Sequence, residues 1–81
     1  MAQAKATNIS QDADTFHGFA AIIHFNDDAV IDNLIEMGYE FDCPEASDQN
    51  GYKESMWVFG NSAGTKAEWM KELRKDIKKA C

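Results

Sequence analysis

An α+β fold, with two helices on one face of a three-stranded antiparallel sheet, is predicted by three observations. Residues 16–25 and 52–59 carry aromatic and β-branched side chains at strand spacing. The segments that follow each of them place apolar side chains at helical spacing behind good N-cap residues. A third, shorter apolar–polar alternation at 39–43 completes the order β-α-β-β-α.

Taken in order, residues 1–15 are small and polar, with Ile9 as the one sizeable anchor. They read as a flexible N-terminal arm, with room for a short edge strand around 7–10. Residues 16–81 form a single α+β domain. The 16–25 strand is apolar on both faces, so its second face is either covered or open to a partner. Asn26 or Asp27 caps the first helix. Val30, Ile31, Leu34 and Ile35 form its buried stripe, and Gly38 ends it in the left-handed conformation. Residues 39–43 make a short strand stopped by Pro44. Residues 44–49 read as a polar loop, and Asn50-Gly51 as a turn. In the 52–59 strand, Tyr52, Glu54, Met56 and Val58 alternate with Lys53, Ser55, Trp57 and Phe59. Thr65 to Glu68 is a capping box that opens a helix carrying Trp69, Met70, Leu73 and Ile77 on one face. A right-handed crossover places the 52–59 strand between the other two. The result is a truncated ferredoxin-like sheet, an architecture that implies no function.

The charge is segregated. Nine acids and a single base, Lys53, lie between Asp27 and Glu54, whereas the last seventeen residues hold six bases against three acids; the net charge is −6. Such a field steers association and does not select a fold. It argues against direct nucleic-acid contact, which needs a basic face. The longest apolar run, 19–25, is too short to span a membrane. With no secretory signal in view and Cys43 and Cys81 too few for a disulfide framework, the expected setting is cytoplasmic with both thiols reduced.

No motif names a reaction. His17 and His24 are seven apart on one strand, hence on opposite faces, and read as surface or interface histidines. Cys43 lacks zinc spacing and reads as a bystander thiol. Asp42, Glu45, Asp48 and Asn50 depart from calcium-loop spacing. The stretch 60–64 lacks the lysine of a phosphate loop. No cofactor, metal or catalytic residue is therefore assigned.

Two features remain. Asp28, Asp32 and Glu36 recur every fourth residue, about 6 Å apart along one helix edge, with no base in the helix to relieve them. With Glu40, Asp42, Glu45 and Asp48 they form an extended anionic surface. The uncovered sheet face should also show Phe16 and Ile22 beside either Trp57 and Phe59 or Met56 and Val58. The chain thus reads as a non-enzymatic binding module whose acids, with Phe16 and Trp57, engage a protein with a basic surface. The concrete version is an inhibitor occupying the nucleic-acid site of a nucleic-acid-binding protein or complex. In size, charge and architecture the chain is similar to small acidic phage proteins that block host defence, anti-CRISPR proteins among them; no motif aligns, so no residue role is carried over. The rival reading is a homodimer or other homo-oligomer built on the open sheet face, with the acids serving solubility.

Overall fold

The computed structural model describes residues 3–9, 18–60 and 64–81. It shows four strands where three were expected: β1 (Ala4–Asn8), β2 (Phe19–Phe25), α1 (Asp28–Glu36), β3 (Glu40–Ala46), β4 (Glu54–Gly60) and α2 (Lys66–Ala80). The sheet order is β1-β2-β4-β3 and every pairing is antiparallel. β4 therefore lies between β2 and β3, as the crossover rule requires. The extra strand comes from the segment read as an arm. It pairs along the free edge of β2, from Ala4 opposite Phe25 to Asn8 opposite Ala21, and Lys66 Nζ donates to the Ile9 carbonyl at 2.6 Å. The remainder of the expected arm, residues 1–2 and 10–15, lies outside the described residues, as do Phe16 and His17.

Both ends of α1 follow from its sequence. Asp27 accepts from the Ala29 N–H at 3.0 Å, and Asp28 sits in the first turn where the helix dipole favours it. At the other end the Tyr39 N–H bonds the Leu34 carbonyl and the Gly38 N–H the Ile35 carbonyl, with Gly38 at φ +104°. This is a Schellman ending. Asn26, the other cap candidate, has a different task. Its amide donates to the Gly51 carbonyl and accepts from the Lys53 N–H, both at 2.8 Å, clamping the β3–β4 loop.

The core lies between the sheet and the helices. Val30, Ile31 and Leu34 of α1 and Trp69, Met70, Leu73, Ile77 and Ala80 of α2 bury against Ala6, Ala21, Ile23, Phe25 and Val58. Ile35, expected in the stripe, is 52% exposed instead. At 100° per residue it sits a quarter-turn off the buried centre, beside Asp28 and Asp32.

β3 also departs from expectation. It runs through Pro44 to Ala46, and its register against β4 shifts between Asp42 and Glu45. Pro44 is tolerated because β3 is an edge strand and the bulge falls at that point. Cys43 takes φ +55°, and its N–H donates to Asp42 Oδ1 at 2.8 Å.

Gly60 marks a close approach. A β-carbon there would overlap the Trp69 indole, which also stands 5.9 Å, ring to ring, from Phe19, the residue opposite Gly60 on β2. Alanine in place of a strand glycine ordinarily gains ~0.5–1 kcal/mol. Here the overlap reverses the sign, and Gly60→Ala is expected to cost about 1–3 kcal/mol in urea denaturation. Unchanged or raised stability would show that the indole has room to move.

Candidate functional site

The structure divides the acids between two faces, with the α1 row on the helix side of the sheet and Glu40 and Asp42 on the other side, opposite Phe59 and Trp57. Asp28, Asp32 and Glu36 are all exposed along α1, and Glu40, Asp42 and Glu45 along β3, with Asp48 exposed in the loop beyond. Among the described residues no ion pair neutralises the α1 row. An open groove of about 510 Å³ joins the two elements, with Asp28 on one wall and Glu45 and Glu54 on the other; Lys53 also lines it. Asp28, 17 positions from Glu45 in sequence, is thereby brought into the same concavity.

The structure adds a further row that the sequence reading does not single out. Glu68, Glu72 and Asp76 repeat every fourth residue on α2 and face the end of α1. Glu68 and Glu72 line a second depression with Met37, Gly38 and Tyr39. The Tyr39 hydroxyl donates to Asp76 Oδ2 at 2.7 Å. Burial, then this bond and the charges of Asp76 and Glu72, raise the Tyr39 pKa well above its ordinary value. The bases Lys71, Arg74, Lys75 and Lys78 are exposed on the same helix, and Lys75 and Lys79, three residues after Glu72 and Asp76, share the flank of this row. The spacing is present in the sequence. It is obscured because the helix is basic when its charges are summed and because Lys75 and Lys79 interleave with the acids on that flank.

The helix-free side of the sheet is settled by alternation. Phe41, Val58, Met56 and Ile23 pack toward the helices. Ile22, Trp57 and Phe59 therefore occupy the other face, all half-buried, and Trp57 and Phe59 stand 6.0 Å apart. Ile22 lies opposite Trp57, and Trp57 opposite Asp42 on the next strand; Phe59 lies opposite Glu40.

His24 is not a surface histidine. It is 3% exposed on this same face, beneath the β3–β4 loop. Its Nδ1 is 2.8 Å from Ser47 Oγ and its Nε2 3.4 Å from Thr7 Oγ1. Thr7 donates to the Ile22 carbonyl and Ser47 accepts from the Gln49 N–H, which assigns the proton of a neutral ring to Nε2. Tyr52 covers the ring at 6.2 Å. The arrangement fastens the loop to the sheet. Burial holds the His24 pKa below its ordinary value, with Asp48 opposing that shift and Lys5 adding to it. Between the folded value and about 6.5 the unfolded chain binds the extra proton. The stability that neutral His24 contributes is thus present above pH 6.5 and lost as pH falls through the lowered value. The melting temperature is expected to drop from pH 7.5 to 5.5 by more in the wild type than in His24→Gln. Equal drops would remove His24 from the account.

Cys43 and Cys81 are both free and exposed. Among the described residues, no three His, Cys, Asp or Glu side chains are grouped to hold a metal ion. Among the same residues, no helix is long and apolar enough to cross a membrane. No protein-family model, curated protein or solved structure matches the chain.

Proposed function

We propose that this chain is a non-enzymatic, cytoplasmic protein-binding module that occupies a basic, nucleic-acid-binding surface of a partner protein. The observation that carries the reading is the convergence of Asp28 with Glu45 and Glu54 around one groove, from α1, β3 and β4. Acids far apart in sequence thereby form one surface and not three separate solvated edges.

Magnitudes favour several rows acting together. Duplex DNA carries about one charge per 1.7 Å of axis, whereas the α1 row alone supplies one per about 6 Å. On β3, Glu40 and Asp42 add acids at similar spacing, since alternate strand residues are about 6.8 Å apart. A surface of this density suits an inhibitor of the anti-defence type, with carboxylates standing where phosphates would sit. The sheet reads as a permuted ferredoxin-like one: a strand that would follow α2 instead precedes β2 and takes the same outer position.

The test is capture on the immobilised chain from a native-host lysate at low salt, followed by a salt ramp and by elution with free nucleic acid. A nucleic-acid-binding protein displaced by both is the expected result. Recovery of this chain alone would overturn the reading in favour of the homo-oligomer, which the half-buried Ile22, Trp57 and Phe59 favour.

A further inference from the structure

We infer that the helix-free sheet face holds an arginine side chain of the basic partner, stacked on Trp57 and Phe59 and bonded by Glu40 and Asp42. The inference rests on the reading above and deepens it, by naming the side chain recognised and a second contact surface apart from the α1 row.

The register brings the two kinds of group together. Asp42 is directly opposite Trp57, and Glu40 directly opposite Phe59. Adjacent strands lie about 4.8 Å apart, so each carboxylate flanks the ring beside it. A cation over an aromatic face acts within about 6 Å of the ring centre, which is the same reach. A planar guanidinium lying on the paired rings thus meets carboxylates at its edge, where it donates two parallel hydrogen bonds. Lysine fits less well, being strongly hydrated and unable to stack.

The face already holds one contact of this kind. Lys5 on β1 stands 5.8 Å over the Tyr52 ring, at the His24 end of the sheet. Trp57 and Phe59 have no such cation among the described residues. Aromatic sheet faces also stack the bases of single-stranded nucleic acid, but those sites are lined by bases and not acids. Glu40 and Asp42 beside the rings repel a phosphate backbone and attract a guanidinium. Charge complementarity therefore selects the occupant.

The experiment is a titration of the full chain with tetra-arginine at about 0.15 M salt, where charges beyond ~8 Å are screened. The indole N–H resonances of Trp57 and Trp69 report the half-buried and the core ring separately. Tetra-arginine is expected to shift Trp57, leave Trp69 in place, and bind more tightly than tetralysine. Trp57→Leu should weaken binding about fivefold, the scale of an exposed cation–π contact. Glu40→Gln with Asp42→Asn should weaken it about tenfold through loss of charge-assisted bonds, while the amide oxygen introduced by Asp42→Asn can still accept from the Cys43 N–H. Asp28→Lys with Asp32→Lys should leave the Trp57 shift in place, separating this face from the α1 surface. Equal binding of both peptides without a Trp57 shift would overturn the inference in favour of diffuse attraction. A Trp57 shift produced by single-stranded oligouridine, or by raising the concentration of the chain alone, would overturn it in favour of nucleic acid or of a second copy.

Discussion

Trp69→Ala is expected to cost about 3–5 kcal/mol and to unfold much of the domain near physiological temperature. The ring is 5% exposed, rests on Gly60, faces Phe19 and lies in one core with Leu73 and Ile77. At about 0.05–0.15 kcal/mol per residue, a chain of this size has roughly 4–12 kcal/mol in all. The loss is therefore most of the total at the lower end. Collapse around the hole is restricted because the ring packs on backbone at Gly60 as well as on side chains. Thermal denaturation followed by circular dichroism measures it, with Trp57→Ala as the comparison; that half-buried ring should cost much less. A small effect at Trp69 would mean that α2 does not dock by this face. Gly60→Ala in the Trp69→Ala background should lose most of its penalty, because the two positions share one contact.

The parts of the fold that are legible in the sequence are those where a local rule and tertiary packing agree. Asp27, Gly38 and Thr65 each end a helix through their own backbone chemistry, and the structure shows those bonds. For the face occupied by Trp57 and Phe59, the sequence leaves two alternatives open. Alternation alone gives two sets of residues, and only docking of Trp69 and Leu34 selects which set is covered. β1 is obscured because Ala4-Lys5-Ala6-Thr7-Asn8 has little strand character of its own. It is a strand because β2 offers it an edge and small side chains fit beneath α2. Reading Pro44 as a stop suits an interior strand and not a bulged edge.

The candidate site is legible as composition and only partly as geometry. The α1 row follows from helical spacing and is exposed as expected. What sequence spacing does not supply is which other element faces Asp28, and the answer, β3 and the start of β4, depends on the order of strands in the sheet. His24 shows the same limit from the opposite direction. It lies on the helix-free face, yet a loop clamped by Asn26 and Ser47 covers it.

Asp28→Lys with Asp32→Lys is expected to weaken partner capture by at least about tenfold at 0.1 M salt, or ~1.4 kcal/mol. Each substitution changes the charge by two units, so the net charge moves from −6 to −2 while the fold is retained. Both side chains are exposed and neither contributes to the core. A lysine at position 28 forfeits a favourable dipole term of about 0.3–1 kcal/mol. A lysine at position 32 gains attraction to Glu36 of a few tenths, and repulsion between positions 28 and 32 is kept with its sign of charge reversed. Stability should therefore shift by no more than about 1 kcal/mol, or ~8 °C in melting temperature for a domain this small. The effect on binding must shrink as salt is raised, because screening shortens from about 10 Å at 0.1 M to about 3 Å at 1 M. Wild type and variant should converge at high salt if charge is what the partner reads. Equal capture of a folded variant at low salt would sink the nucleic-acid-mimic reading. A deficit that persists undiminished at 1 M salt would mean that α1 is engaged by packing, with exposed Ile35 and Met37 as the contact and the acids as bystanders.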